Sequence, residues 1–582
     1  MRSPAGPRID VSQATPAVGL DSGQAPVWKG IDTLPNELLL KIFANVDGEA
    51  YVLSDEFIHA YAAQVNTHQD DDASELHDDV RDYGDTRLLL PAMATCKQWR
   101  DLIAGTPTLW CRIVVYNNLH WLETCLERSR TLTVQVKFRH STMNLSRAWK
   151  AIQPQKDRIA KLHFRWFECA QSGDLALEEM GQLMSLLVEV FHDEATTHNE
   201  VCSSLLLTPF PRLEMLSLYG LTMQAPPSTL RKLVFRGCDG LSYRLTDFLK
   251  VLGACVSLAK LDVCECALDD IVFDIPQGHS IVALPRLRKL SIVGEVEGVS
   301  SLVSHLELGP DVDIWLATDP QEDIARAAVA ALTVLPANIQ SCTIHTLREA
   351  TRLKVDLSWR SPTEALVITA TRGLTSKGRI TIAVQVSEEQ WVTEEGVASA
   401  AAMTRYYRTA LQSIPYMFSG APLDTLVCDG PLKDIDDRTW WLLFASFPTL
   451  QTLVVDSASG GGVSHLFHAL SSLQSSQESH PVCRHLEYLW LRTADPDDFE
   501  VVRQYVGRRA ACDLPLRRLN LELDNMGPTA RRVPDVTALR TQFEELVPDR
   551  NSRLVTWDVT NESDRRNWKD TEAEFPFGDS LV

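Results

Sequence analysis

The stretch Leu230-Arg231-Lys232-Leu233-Val234-Phe235 is followed 28 residues later by Leu258-Ala259-Lys260-Leu261-Asp262-Val263, and 29 residues after that by Leu287-Arg288-Lys289-Leu290-Ser291-Ile292. All three read Leu-x-x-Leu-x-apolar. The second Leu and the final apolar residue are two apart and share one face of an extended strand, while the first Leu turns inward as the chain enters it. That face stays bare unless a neighbouring unit stacks on it. The pattern recurs at Leu213-Leu216-Leu218, Leu423-Leu426-Cys428, Leu450-Leu453-Val455, Leu486-Leu489-Leu491 and Leu516-Leu519-Leu521. In six of these eight units a proline lies within three residues before the first Leu (Pro211, Pro227, Pro285, Pro422, Pro448, Pro515).

Several of the spacings fall between 27 and 30 residues, near the period of about 20 to 29 that marks leucine-rich repeats. Cys238 and Cys266 occupy the Asn-or-Cys position after the strand in two units, whereas the other six lack that residue and spacings of 17 and 36 interrupt the rhythm. Residues 294–421 show no steady period, although 312–316, 365–369 and 380–386 read as strands. The expected fold class is α/β, with a degenerate leucine-rich-repeat-like α/β solenoid (horseshoe) over 205–547; another α/β arrangement is the alternative. A connecting region over 113–204 leads into it, with Leu132-Val134-Val136-Phe138 alternating as a strand and 175–191 spaced as a helix.

The chain has 582 residues, with 56 Lys and Arg against 77 Asp and Glu and a net charge of −21. Affinity for phosphate backbones or anionic lipid is driven by clustered cations, so neither nucleic acid nor a membrane is an expected partner. The longest nearly apolar run, 324–335, is interrupted by Arg326 and falls short of the ~20 residues of a membrane helix. No apolar stretch of the secretory type follows Met1 and Arg2. Thirteen cysteines are scattered from Cys96 to Cys512 without a C-x-x-C, and Cys264-Glu265-Cys266 does not match zinc half-site spacing. Reduced thiols in the cytoplasm or nucleus are the expectation. Residues 1–29, rich in Pro and Gly, are expected to be disordered, and 548–582 form a polar tail.

Near the N-terminus, Leu38, Leu39, Ile42, Phe43 and Val46 recur at helical spacing behind Pro35, which is preset for a first helical turn. A second helical stretch is expected from Leu88 to Ile103, broken near Pro91. Between them, residues 47–87 carry 12 Asp or Glu against Arg81 and Arg87, a composition expected to form a solvated loop with one short helix over 51–61.

The strings Leu34-Pro35-Asn36-Glu37-Leu38-Leu39-Leu40-Lys41-Ile42-Phe43, Cys96-Lys97-Gln98-Trp99-Arg100-Asp101-Leu102-Ile103 and Thr106-Pro107-Thr108-Leu109-Trp110 together resemble the F-box, here over 30–112 with an acidic insertion at 47–87. An insertion between helices is mild, since closure entropy grows only logarithmically with length. The resemblance implies a three-helix module that docks on the Skp linker protein of cullin-RING (SCF-type) ubiquitin ligases while the rest of the chain recruits a protein substrate. Carried over by position, the docking surface comprises Leu34, Pro35, Leu38, Ile42, Phe43, Trp99, Leu109 and Trp110, with Cys96 and Leu102 in the core. The whole architecture resembles fungal F-box proteins with degenerate leucine-rich repeats. A repeat scaffold without a ligase role is the alternative.

Nothing in the sequence demands an active site. Gly460-Gly461-Gly462 lacks the lysine of a phosphate loop, and no Gly-x-Ser-x-Gly occurs. His465 and His468 share a helix face but lack a zinc-protease glutamate, and Asp495, Asp497 and Asp498 near Pro496 read as a solvated turn or cap. No catalytic, cofactor or metal-binding residue is expected, and the chain is expected not to be an enzyme. Substrate contacts are expected on the strand face opposite the buried leucines: Ser217, Tyr219, Val234, Arg236, Asp262, Cys264, Ser291, Val454, Asp456, Trp490 and Arg492. Of these Trp490 and Arg492 are the types enriched at binding hot spots.

Overall fold

The computed structural model describes residues 34–46, 89–115, 118–138, 145–166, 180–190, 210–219, 226–236, 245–264, 281–318, 335, 344–358, 365–373, 378–385, 400–432, 435–457, 463–475, 478–493, 498–524, 541, 547 and 553–557. The whole insertion 47–87, the segment 1–29, and Cys238, Cys266, Asp495 and Asp497 lie outside them. The chain opens with helices α1 (Asn36–Val46), α2 (Leu89–Thr95) and α3 (Lys97–Gly105) and a 3-10 turn, Pro107–Trp110. The helical stretch expected to break near Pro91 breaks instead at Cys96. Pro91 sits in the first turn of α2, where its missing N–H has no intrahelical acceptor to lose. Cys96 is extended and caps α3, its Sγ accepting from the Trp99 N–H at 3.5 Å.

A long series of strands follows, with helices between several of them. They are β1 (Arg112–Val115), β2 (Val134–Phe138), β3 (Ile159–Trp166), β4 (Ser185–Val190), β5 (Met215–Tyr219), β6 (Lys232–Arg236) and β7 (Lys260–Cys264). The short β8 (Val282–Ala283), β9 (Lys289–Gly294), the short β10 (Leu306–Glu307) and β11 (Asp313–Thr318) follow, then β12 (Arg352–Ser358), β13 (Ala365–Thr371) and β14 (Ile380–Gln385). The last are β15 (Thr425–Asp429), β16 (Thr452–Ser457), the hairpin β17 (Leu473–Ser475) and β18 (Glu478–Pro481), β19 (Tyr488–Thr493), β20 (Arg518–Asp524) and β21 (Arg553–Trp557). Between them lie α4 (Leu119–Arg128), α5 (Leu145–Ile152), α6 (Leu245–Ala254), α7 (Val296–Ser304), α8 (His345–Glu349), α9 (Ala400–Met417), α10 (Asp437–Ser446), α11 (Ser464–Ser471) and α12 (Asp498–Ala511). No helix among the described residues is long and apolar enough to cross a membrane.

Seventeen of the strands form one sheet in which sequence neighbours are spatial neighbours: β1 to β7, β9 and β11 pair in parallel, as do β15, β16, β19, β20 and β21. All twenty-four residues of the eight Leu-x-x-Leu-x-apolar units are buried. Ile113, Val136, Leu162, Leu186, Leu216, Leu233, Leu261, Leu290 and Ile314 stand in one register row from β1 to β11. Leu353, Leu426, Leu453, Leu489 and Leu519 make a second row. Helices cover this face; the Phe235 ring meets Phe248 of α6 edge-on at 5.2 Å.

The parallel sheet begins at Arg112, well ahead of residue 205, and β21 continues it inside the polar tail. The helix expected over 175–191 is corrected: Ser185–Val190 is strand β4, because Leu186 and Val188 alternate into the core between β3 and β5. The aperiodic stretch has its own explanation. β12, β13 and β14 form an antiparallel meander, and it is β14, not β12, that pairs with β11, while β12 pairs with β15. The chain therefore doubles back once, which breaks the spacing. Gly378, at φ +72°, lies against Pro310, whose carbonyl oxygen would stand 2.6 Å from any Cβ there, so only glycine lets the meander close on the strand before it.

Candidate docking surfaces

The core of the N-terminal helices is built from one side of α1. Leu39 and Phe43 are buried, with the Phe43 and Trp99 rings edge to face at 5.2 Å. Trp110 is fully buried and donates its indole N–H to the Ile103 carbonyl at 2.8 Å. Its ring meets Trp121 of α4 at 5.6 Å, and the Arg128 guanidinium lies 4.5 Å above it. One continuous apolar core runs from Leu39 through the repeat strands, so these helices are packed onto the first strands rather than tethered to them.

The eight docking residues expected from sequence divide in two. Phe43, Trp99, Leu109 and Trp110 are buried, and Leu34 is partly buried against the core. Pro35, just ahead of α1, and Leu38 and Ile42 on it are exposed, at i, i+3 and i+7, with Leu38 45% and Ile42 38% accessible. Leu90 of α2, which sequence reasoning missed, is 44% exposed. Cys96 and Leu102 pack only partly into the core. The Trp99 indole nitrogen is buried with no acceptor among the described residues. Two helices thus present apolar side chains that no other described residue covers.

The strand face opposite the leucines is more closed than expected. None of its eleven candidates is exposed, and Val234, Asp262, Ser291 and Asp456 are buried. The reason is pairing between adjacent strands. Arg236 donates to the Tyr219 hydroxyl at 3.2 Å and lies 3.5 Å from the Asp262 carboxylate. Burial lowers its pKa, but Tyr219 and Asp262 outweigh that and the guanidinium stays charged. Trp490 donates to the Glu522 Oε1 at 2.9 Å, and Arg492 donates to the Asp456 Oδ2 at 3.3 Å, so each of these two is held by a neighbouring strand. Asp356, Asp429 and Asp456 stand in register across β12, β15 and β16, while Lys232, Lys260 and Lys289 do so at the starts of β6, β7 and β9. The face therefore carries charge of both signs, and Asp356 and Asp456 are already paired within it, to Lys354 at 3.0 Å and to Arg492 at 3.3 Å.

No curated protein matches the chain. Among family models, the F-box-like model matches residues 31–116, the segment that holds α1 to α3, the Trp110 turn and the exposed apolar face; the chain carries an F-box-like domain there.

Proposed function

We propose that this protein is the substrate-recognition adaptor of a cullin-RING ubiquitin ligase, binding the Skp linker through its F-box-like domain and a protein substrate through a leucine-rich-repeat-like solenoid. The observation that carries this reading is the exposed row Pro35, Leu38 and Ile42 within the matched segment, because apolar side chains on a helix pair call for a partner groove. The solenoid reading is supported by the in-register leucine rows and the parallel order of the strands. In this assembly the chain does no chemistry of its own, since other subunits transfer ubiquitin, and it works in the cytoplasm or nucleus. The three-helix F-box is read from α1, α2 and α3. Substrate is met on the strand face, where Trp490 and Arg492 are held ready by Glu522 and Asp456.

Packing of Trp110 against Trp121 and Arg128 gives this reading a mechanical sense. A rigid junction fixes where the strand face sits relative to the linker, and so where a substrate is held. Co-expression with the Skp linker tests the proposal: a soluble stoichiometric complex is expected, weakened by Leu34→Ala with Pro35→Ala. No association of the wild-type chain sinks it.

A further inference from the structure

His465 and His468 are three apart, and the sequence offers no third ligand beside them. The fold supplies one. Strands β15 and β16 pair in register, so the helices that follow them, α10 and α11, lie side by side in consecutive units. Asp437 opens α10 and His465 lies in the first turn of α11, which brings Asp437 Oδ1 to 2.5 Å from His465 Nδ1. One donor atom from each of Asp437, His465 and His468 lies within 4.8 Å of the other two. All three face solvent, because Trp440, Leu443 and Phe444 take the buried side of α10 and Leu466, Phe467 and Leu470 that of α11.

We propose that Asp437, His465 and His468 form a zinc site that bridges these two helices. Two imidazoles and a carboxylate are nitrogen and oxygen donors that zinc takes at about 2.0 to 2.2 Å, which sets tetrahedral ligand atoms about 3.4 Å apart. Exposed side chains on neighbouring helices reach that separation by small rotations about χ1 and χ2. In the metal-free form His465 Nδ1–H donates to Asp437; if Nδ1 is the ligand, the metal takes the place of that proton, which leaves to solvent. Three protein ligands leave the fourth position to water or to a donor from a bound partner. A bare Asp–His pair uses two of these residues and leaves His468, one helical turn on, without a role. The bound ion cross-links two units of the array, so its effect on stability appears only when it is present.

The test uses the full chain, stripped with a chelator and desalted, with zinc chloride as ligand and cobalt as optical reporter. The wild-type chain is expected to bind one equivalent of zinc more than His465→Ala with His468→Ala, measured by competition with a chromophoric chelator. Asp437→Asn is expected to weaken that equivalent at least about tenfold. Cobalt at this site gives d–d absorption without the thiolate charge-transfer band that the cysteines would produce, and zinc raises the Tm of the wild type but not of the double variant. Equal zinc stoichiometry in the two chains, or a cobalt spectrum of thiolate type alone, overturns the proposal. Circular dichroism of the metal-free proteins confirms that the variants fold; if the double variant does not, His468→Gln is read in its place against the same criteria.

Discussion

Leu38 and Ile42 give the sharpest test of the F-box face. Full burial of a Leu or Ile side chain contributes roughly 1.5–3 kcal/mol. With 45% and 38% of their surface open, the part a partner covers contributes about 1 kcal/mol for each residue. Leu38→Ala with Ile42→Ala therefore weakens the Skp linker complex by about 2 kcal/mol, roughly 30-fold in Kd. The free chain barely notices, since both residues point away from the core and Ala is the best helix former, so its own stability moves by about 0.5 kcal/mol or less. Phe43→Ala acts in the opposite manner. It empties the position that meets Trp99, and costs the fold about 3–5 kcal/mol. Isothermal titration of linker into each variant, beside urea unfolding of the free chains, separates the two. An Leu38/Ile42 variant that keeps wild-type affinity with its fold intact refutes the assignment of this face.

Three further outcomes are expected. Arg509 is buried and donates to the carbonyls of Leu514, Cys483, Arg484 and Leu486 at 2.8 to 3.2 Å, tying α12 to the turn before β19; Arg509→Met strands these acceptors and lowers the unfolding free energy by about 3 kcal/mol or more in urea titration, and Arg509→Lys recovers little because it lacks the planar fork. Gly378→Ala combines a left-handed backbone with a clash on the Pro310 carbonyl and is expected to cost at least about 1–3 kcal/mol, with amide exchange rising first in β14; unchanged exchange there counts against the meander's mode of closure. Burial pushes the Cys255, Cys428 and Cys483 thiols up to about 12. The native chain then keeps protons that the unfolded chain gives up above its ordinary thiol pKa near 8.5, so stability present below about pH 9 falls as pH rises toward 12, by up to about 1.4 kcal/mol per thiol per pH unit. Thiol labelling at pH 8 should mark the exposed Cys512 in the native state and these three only on unfolding; equal labelling rates defeat the argument.

Leu-x-x-Leu-x-apolar was legible because each of its three positions is a buried one, and the register rows show that units sharing the pattern stack without offset. The same pattern is present in Ile159-Leu162-Phe164 and Leu183-Leu186-Val188, yet 175–191 also satisfies a helical period. Pairing decided between them: Leu186 and Val188 stand opposite Leu162 and Phe164 on β3, a contact no local window contains. The meander was hidden for a different reason. A strand that runs backward breaks the spacing even though β12, β13 and β14 are individually strand-like. In the F-box-like segment the residue types identified the module but not its free face, since Leu38 with Ile42 and Leu39 with Phe43 are both apolar i, i+4 pairs, one residue and about 100° apart. Only the position of Trp99 shows which pair is core. Asp437 escaped notice because its partner lies 28 residues on, one repeat away. Spacing within a helix found His465 and His468, and spacing between units found their neighbour. In a solenoid the repeat length is itself a contact distance, and sites assembled across it are read by aligning units with one another rather than by scanning along the chain.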